Sequence, residues 1–185
     1  MRRRVAPCLA VQFYEKTLHQ DPSLDKGWIA ITRFYIKKRN YQRALYFINK
    51  AINIDNDNVI YWKLYSQINQ RLSLFEEAER GYKRAFELGN YELSTWLSRG
   101  DILIKLGEPQ AAIYNFEQAI DFYPENAEIE YRLAGLYFTL NETDKGAYHL
   151  KNGLKYNEEY TFILDELFPE IINKLYVKNL LKANQ

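Results

Sequence analysis

The sequence has one cysteine, Cys8, and two histidines, His19 and His149, among its 185 residues. A single cysteine cannot form an internal disulfide. The two histidines lie 130 residues apart, and neither has a second histidine or a cysteine at metal-ligand spacing on the same helix face. We therefore predict no metal site and no cofactor, and we expect the histidines at solvated or half-buried positions.

Long apolar runs are also missing. The best run, residues 133–140, contains Gly135 and Thr139, and it is far shorter than the roughly 20 residues that cross a membrane. The Arg-rich opening MRRRVAPCLAVQFYEK has an apolar patch that ends at Glu15 without a clean cleavage site, so it is a poor signal peptide. We predict no membrane span, and the lack of an export signal favours a cytoplasmic location.

Known catalytic motifs are also missing from the sequence. The sequence has no glycine-rich phosphate-binding loop, no pair of zinc ligands and no nucleophile elbow. The acidic run Glu76, Glu77 and Glu79 fits the first turn of a helix, where the macrodipole favours anions. We therefore predict that the chain is not an enzyme.

Charge is unevenly distributed, although the net charge is only +1. Residues 1–58 carry eleven Lys and Arg against five Asp and Glu, whereas residues 93–160 carry six against eleven. The basic half and the sixteen tyrosines leave a nucleic-acid-associated adaptor as an alternative function. The acidic half argues against it, because cations are expected along the whole groove of a strand-tracking protein. Weak head-to-tail self-association of the two ends is another alternative.

Large and small residues recur at a spacing of 34 positions. Five registers show this spacing: Trp28, Trp62 and Trp96; Thr32, Ser66, Gly100 and Ala134; Ala44, Ala78, Ala112 and Gly146; Ile48, Tyr82, Phe116 and Leu150; and Ala51, Ala85, Ala119 and Gly153. Self-similarity at a fixed period of this size is typical of a solenoid.

These registers resemble the tetratricopeptide repeat, a family with a large residue at position 4, small residues at 8, 20 and 27 and aromatic residues at 11 and 24. The resemblance implies an all-α, right-handed superhelical solenoid of antiparallel helix pairs. It divides the chain into a half repeat with a basic N-terminus (1–24), four repeats (25–58, 59–92, 93–126 and 127–160) and a C-terminal capping helix (161–185).

The residues support helix pairs independently. Apolar residues in YQRALYFINKAINI recur every three or four positions, as in an amphipathic helix. Gly107 and Asn141 suit turns, and Asn58 and Asn126 suit helix N-caps. Small residues such as Gly100 are predicted where paired helices touch, because close approach requires short side chains. The three tryptophans are therefore predicted to be packing residues.

The two ends of the array are predicted differently. The segment FILDELFPEIINKLYVKNLL begins like a fifth repeat but has Phe168 where a small residue is required. We predict one capping helix whose apolar side covers the last repeat; this side consists of Leu164, Leu167, Ile171, Leu175 and Leu180. Pro169 either kinks the helix or begins a new one. The leading half repeat is either part of a longer array or capped by its own opening residues.

In this family the first helix of each repeat lines a concave groove, and the resemblance implies which residues face it. We predict partner contacts from Lys26, Arg33, Lys37, Lys63, Gln67, Arg71, Asp101, Lys105, Tyr131 and Phe138. The cations form a basic ladder, and Tyr131 and Phe138 are expected to hold an apolar anchor. The sequence thus predicts a protein-binding scaffold for a peptide or helix with acidic and apolar residues, and a merely solvated polar face is the alternative.

A terminal-carboxylate clamp, which chaperone adaptors of this family use, is not expected. From the second repeat onwards, the residues at the clamp positions are Lys63, Gln67, Ser98, Glu128 and Arg132, and only Lys63 and Arg132 match. One further function stays open from the sequence: a docking or regulatory segment of a larger enzyme or secretion assembly.

Overall fold

The computed structural model describes residues 5–21 and 23–183, without the side chains of residues 5–10, 19 and 183. The predicted basic N-terminus at residues 2–4 and the side chains of Cys8 and His19 lie outside the described residues. The described part contains helices and no strand, which confirms the predicted all-α class. The chain divides into two compact units, Met1–Asn90 and Tyr91–Gln185.

Unit 1 is a row of helices in which each contacts the next along the chain. Its helices are α1 (Val5–Gln20), α2 (Asp25–Lys37), α3 (Tyr41–Ile54), α4 (Val59–Arg71) and α5 (Phe75–Glu87). Helices α2 and α4 also contact each other, although α3 lies between them in sequence. The first helices of two successive predicted repeats are therefore neighbours.

Unit 2 continues the same order of helices and ends in shorter ones. They are α6 (Leu93–Lys105), α7 (Pro109–Phe122), α8 (Ala127–Thr139), α9 (Thr143–Tyr156), a 3-10 helix (Glu158–Thr161), α10 (Phe162–Leu167), α11 (Pro169–Ile172) and α12 (Leu175–Ala183). Helix α8 contacts α7, α9, α10, α11 and the 3-10 helix. It is therefore the central helix of unit 2.

The recurring small residues lie where helices touch, as predicted. Gly100 of α6 faces Phe116 of α7, and a methyl group added at Gly100 would overlap the Phe116 ring. Phe116 is completely buried. The predicted role of the tryptophans is also confirmed, since Trp28 and Trp96 are buried in the core and Trp62 is half-buried.

Turns and caps follow the local signals in the sequence. Asn58 and Asn126 accept hydrogen bonds from Ile60 and Ile129 backbone N–H groups at 3.1 Å, as N-caps do. Gly107 and Asn141 adopt positive φ angles of 73° and 60°, which end a helix in a left-handed turn. Arg39 and Ser73 also adopt positive φ after α2 and α4, and Glu125 does so in the turn between α7 and α8.

The prediction of one continuous capping helix is wrong, and of the two alternatives for Pro169 the second, the start of a new helix, is confirmed. Pro169 is the first residue of a new helix, α11, because proline has no N–H to donate and suits the first helical turn. Leu164 and Ile171 are buried, but Leu175 is 74% exposed and does not cover the last repeat. Phe168 lies against Gly135 of α8, where even a methyl group would overlap its ring. The bulky residue thus fills the space that a glycine leaves.

Candidate interaction surfaces

The cations predicted to face the groove in unit 1 lie on two neighbouring helices. Lys26, Arg33 and Lys37 of α2 and Arg71 of α4 are exposed, and Lys63 of α4 is half-buried. We call these five residues the basic face. Gln67, also predicted to contact a partner, is exposed on α4. Residues at this spacing share one side of a helix, and α2 and α4 are in contact.

Asp25 is the one carboxylate on α2 and α4. It lies at the start of α2 and accepts a 2.8 Å hydrogen bond from the Tyr61 hydroxyl and a 3.5 Å bond from Asn58. Burial, together with this hydrogen bond and the Asp25 charge, raises the pKa of Tyr61. The carboxylate therefore joins the starts of the two helices.

Apolar side chains are interleaved with these cations. Ile29 and Ile36 of α2 are half-buried, and Ile60 of α4 is 44% exposed. An exposed isoleucine beside cations gives a ligand both apolar area to bury and charge to pair with. The face can therefore hold a segment that carries both kinds of side chain.

In unit 2 the structure places the predicted aromatic anchors in the interior. Tyr131 and Phe138 are completely buried, so the prediction that they hold a partner's side chain is wrong. The cause is on α9, where Gly153 and Gly146 leave room for the Tyr131 and Phe138 rings. Gly146 and Gly153 could be recognised in the sequence as small residues. The sequence did not show which side of α8 would pack against them.

Asp101, another predicted contact residue, is held by an arginine. Arg132 of α8 donates to both Asp101 oxygens, at 2.6 and 3.0 Å, and to the Glu128 carbonyl at 2.9 Å. Arg132 is therefore not open to a terminal carboxylate, which agrees with the poor match to the chaperone clamp. Lys105, the last predicted contact in this unit, is exposed at the end of α6.

A pocket of about 530 Å³ in unit 2 was not predicted from the sequence. Its lining is mostly apolar and includes Ile104, Leu136, Leu167, Phe168 and Ile171, with Glu170 and Lys174 also present. Its lining takes residues from both sides of the break at Pro169, where α10 is followed by α11.

A polar pair between the buried Glu130 and the half-buried His149 was also missed. Glu130 occupies the register in which the first three repeats have tryptophan, and it lies 2.7 Å from Nδ1 of His149 on α9. The His149 ring stacks on Tyr137, and burial together with the hydrogen bond to Glu117 raises the pKa of Tyr137. The missing tryptophan at position 130 was the signal that could have revealed this pair.

Alkaline pH is expected to destabilise unit 2 through Tyr131. Burial, with a smaller effect of Glu158, raises its pKa to about 12, from about 10 in an unfolded chain. The contribution of Tyr131 to stability is therefore fully present below about pH 10 and is lost as the pH rises through about 12, by up to about 3 kcal/mol. Denaturant unfolding followed by circular dichroism across this range measures the loss.

Tyr131→Phe is the matched control for that experiment. The Tyr131 hydroxyl has no hydrogen-bond partner within residues 5–21 and 23–183, so its removal leaves no polar group unsatisfied. The variant should be at least as stable near neutral pH and lose less stability at high pH. Equal alkaline losses in both proteins would refute the assignment to Tyr131.

Comparison with known proteins identifies the class. A model of the tetratricopeptide repeat family matches residues 103–158. A TPR repeat-containing protein of Methanocaldococcus jannaschii is 32% identical over 152 residues, which cover 79% of this chain and 24% of that protein. The BBSome complex member BBS4 of Bos taurus is 33% identical over 125 residues, 62% of this chain and 24% of that protein. The chain spans about a quarter of the length of these relatives.

Solved structures show the same fold at low sequence identity. MamA superposes with a TM-score of 0.74 at 18% identity, covering 80% of this chain and 87% of that one. YrrB, a TPR protein with an unusual peptide-binding site, gives a TM-score of 0.72 at 14% identity, covering 93% of this chain and 92% of that one. The family model and the sequence relatives, in agreement with this fold, show that the chain belongs to the tetratricopeptide repeat family.

Two further properties concern the described residues only. None of the helices in the part of the chain that the structure describes is long and apolar enough to cross a membrane. Across residues 5–21 and 23–183, no three His, Cys, Asp or Glu side chains are grouped so that they could hold a metal ion.

Proposed function

We propose that this chain is a non-catalytic scaffold whose basic face binds a partner segment rich in acidic and apolar residues. The observation that carries this proposal is the composition of α2 and α4, whose five cations are accompanied by one carboxylate. That carboxylate, Asp25, already accepts hydrogen bonds from Tyr61 and Asn58. The positive charge therefore dominates the side of unit 1 on which a ligand would lie.

Charge and apolar area have different roles in this binding. The cations attract an acidic segment and orient it during encounter. Burial of Ile29, Ile36 and Ile60 by apolar ligand residues adds affinity that salt does not screen. The likeness to YrrB, a TPR protein with an unusual peptide-binding site, supports a peptide as the ligand.

Reversing two cations of the basic face is expected to weaken peptide binding by at least about tenfold, because each reversal replaces an attraction by a repulsion. Ligands are selected from a displayed library of random peptides with the wild-type chain, and binding is measured by fluorescence anisotropy. Selected peptides should interleave Asp and Glu with Leu, Ile or Phe. The variant Arg33→Glu/Arg71→Glu changes exposed residues on α2 and α4.

The matched control is Lys16→Glu/Lys83→Glu, which reverses two exposed cations on α1 and α5. It makes the same change in net charge away from the basic face. We expect it to bind the selected peptides within about twofold of wild type, apart from weak long-range effects that salt removes. Equal losses in both variants would show that net charge, and not the basic face, determines binding.

A second candidate is that the chain is the docking segment of a larger protein or complex. The relatives are several times longer than this chain, and one is named as a complex member. A shorter match, 30% identical over 83 residues, is a protein O-mannosyl-transferase of Mus musculus, of which this chain covers 9%. Sequencing the flanking coding region tests this candidate, since an adjoining catalytic domain would support it.

A further inference from the structure

The chain itself carries a segment of the chemistry that the basic face is proposed to bind. From residue 156 to residue 173 there is no Lys or Arg, and there are five carboxylates: Glu158, Glu159, Asp165, Glu166 and Glu170. All five are exposed. Among them lies Phe162, which is 47% exposed.

The packing of α10 determines which side of this segment faces outwards. Ile163 and Leu164 are buried, and α10 contacts α8. Phe162, Asp165 and Glu166 are three and four residues apart, so they share the opposite side of the helix. We call these three residues the acidic face. It presents an aromatic ring flanked by two carboxylates on a helix whose other side is fixed in the core.

We infer that the acidic face of one copy of this chain docks on the basic face of a second copy. The inference rests on the proposed function of the basic face and identifies one of its ligands. The charges are complementary, with five cations on α2 and α4 facing carboxylates in a segment that has no cation. Phe162 also supplies an apolar side chain for Ile29 and Ile60 to cover.

Such a contact joins two different surfaces, so it is heterologous. An open assembly of copies therefore always keeps one unoccupied basic face and one unoccupied acidic face. Only closure of the assembly into a ring would occupy both. Self-association of this kind also competes with any acidic partner for the basic face. The degree of assembly would therefore set how many basic faces are open to other ligands.

Sedimentation velocity of the full chain tests the contact. Between about 1 and about 200 µM, the range of weak charged contacts, the mean mass of wild type should rise with concentration. It should fall again when the salt concentration is raised to about 0.5 M, because the contact is largely electrostatic. Wild type that stays monomeric throughout this range overturns the inference.

Charge-reversed variants locate the two faces. Arg33→Glu/Arg71→Glu and Asp165→Lys/Glu166→Lys should each remain monomeric, whereas an equimolar mixture should associate because each supplies the face that complements the other. The control Asp121→Lys/Asp144→Lys, at exposed positions of α7 and α9, should associate like wild type. Loss of association in this control, or no association in the mixture, overturns the assignment of the faces.

Peptide binding separates this inference from the proposed function. The Asp165→Lys/Glu166→Lys variant keeps an unaltered basic face and should bind the selected peptides at least as tightly as wild type. If wild type binds peptides but never self-associates, the docking inference fails and the proposed function stands. If wild type neither binds peptides nor self-associates, both fail.

Discussion

Replacing Gly100 with alanine is expected to destabilise unit 2 by about 2 kcal/mol or more, although alanine is the better helix former by about 1 kcal/mol. The added methyl group would overlap the Phe116 ring. Phe116 is completely buried and cannot swing away without disturbing its neighbours. Denaturant unfolding followed by circular dichroism measures the loss.

A double-mutant cycle tests whether this cost comes from the contact itself. Phe116→Leu alone should cost about 1 kcal/mol, because it removes buried apolar area and leaves a small cavity. In the double variant Gly100→Ala/Phe116→Leu, the methyl group enters the space that the ring vacates. The double variant should therefore be more stable than Gly100→Ala alone, and strictly additive losses would contradict the packing explanation.

Removing Arg132 is expected to destabilise unit 2 by about 3 kcal/mol, because it leaves a carboxylate without its partner in a mostly buried place. The Arg132 side chain is only 9% exposed and the Asp101 side chain only 22%. Arg132→Met keeps most of the apolar stem, so the loss reports the missing charge. Thermal and denaturant unfolding of the variant measure it.

Two comparisons define the origin of this loss. Asp101→Leu/Arg132→Met removes both charges and should recover most of the stability, since no buried ion is left unpaired. Lys145→Met breaks an exposed pair with Glu142, whose side chains are 60% and 42% exposed, and should cost less than about 1 kcal/mol. Similar losses for Lys145→Met and Arg132→Met would mean that burial does not decide the strength of the pair.

Much of the fold was predictable because repeat signals are local and repeated. Asn58 and Asn126 cap helices within a few residues of themselves, and Gly107 determines a turn by its own backbone freedom. The Gly100 contact with Phe116 was also predictable, since both residues belong to one helix pair. Such features need no knowledge of distant parts of the chain.

The candidate sites were less predictable because they depend on which side of a helix a neighbour covers. The interior position of Tyr131 and Phe138 requires α9 to be close enough for Gly146 and Gly153 to admit their rings. Asp101 could be placed on the groove side of α6, but its partner Arg132 is 31 residues away. The contact between Phe168 and Gly135 likewise requires the C-terminal segment to pack against α8.

The sequence by itself determined the helix pairs of the repeats, several of their turns and the basic composition of α2 and α4, because these depend on neighbours in the chain. Only the tertiary structure decided which predicted contact residues stay exposed. It buried Tyr131 and Phe138, paired Asp101 with Arg132, and packed α10 against α8 so that Phe162 faces outwards. The physical reason is that exposure belongs to a packed arrangement of several helices, in which each side chain competes for the space that the others leave.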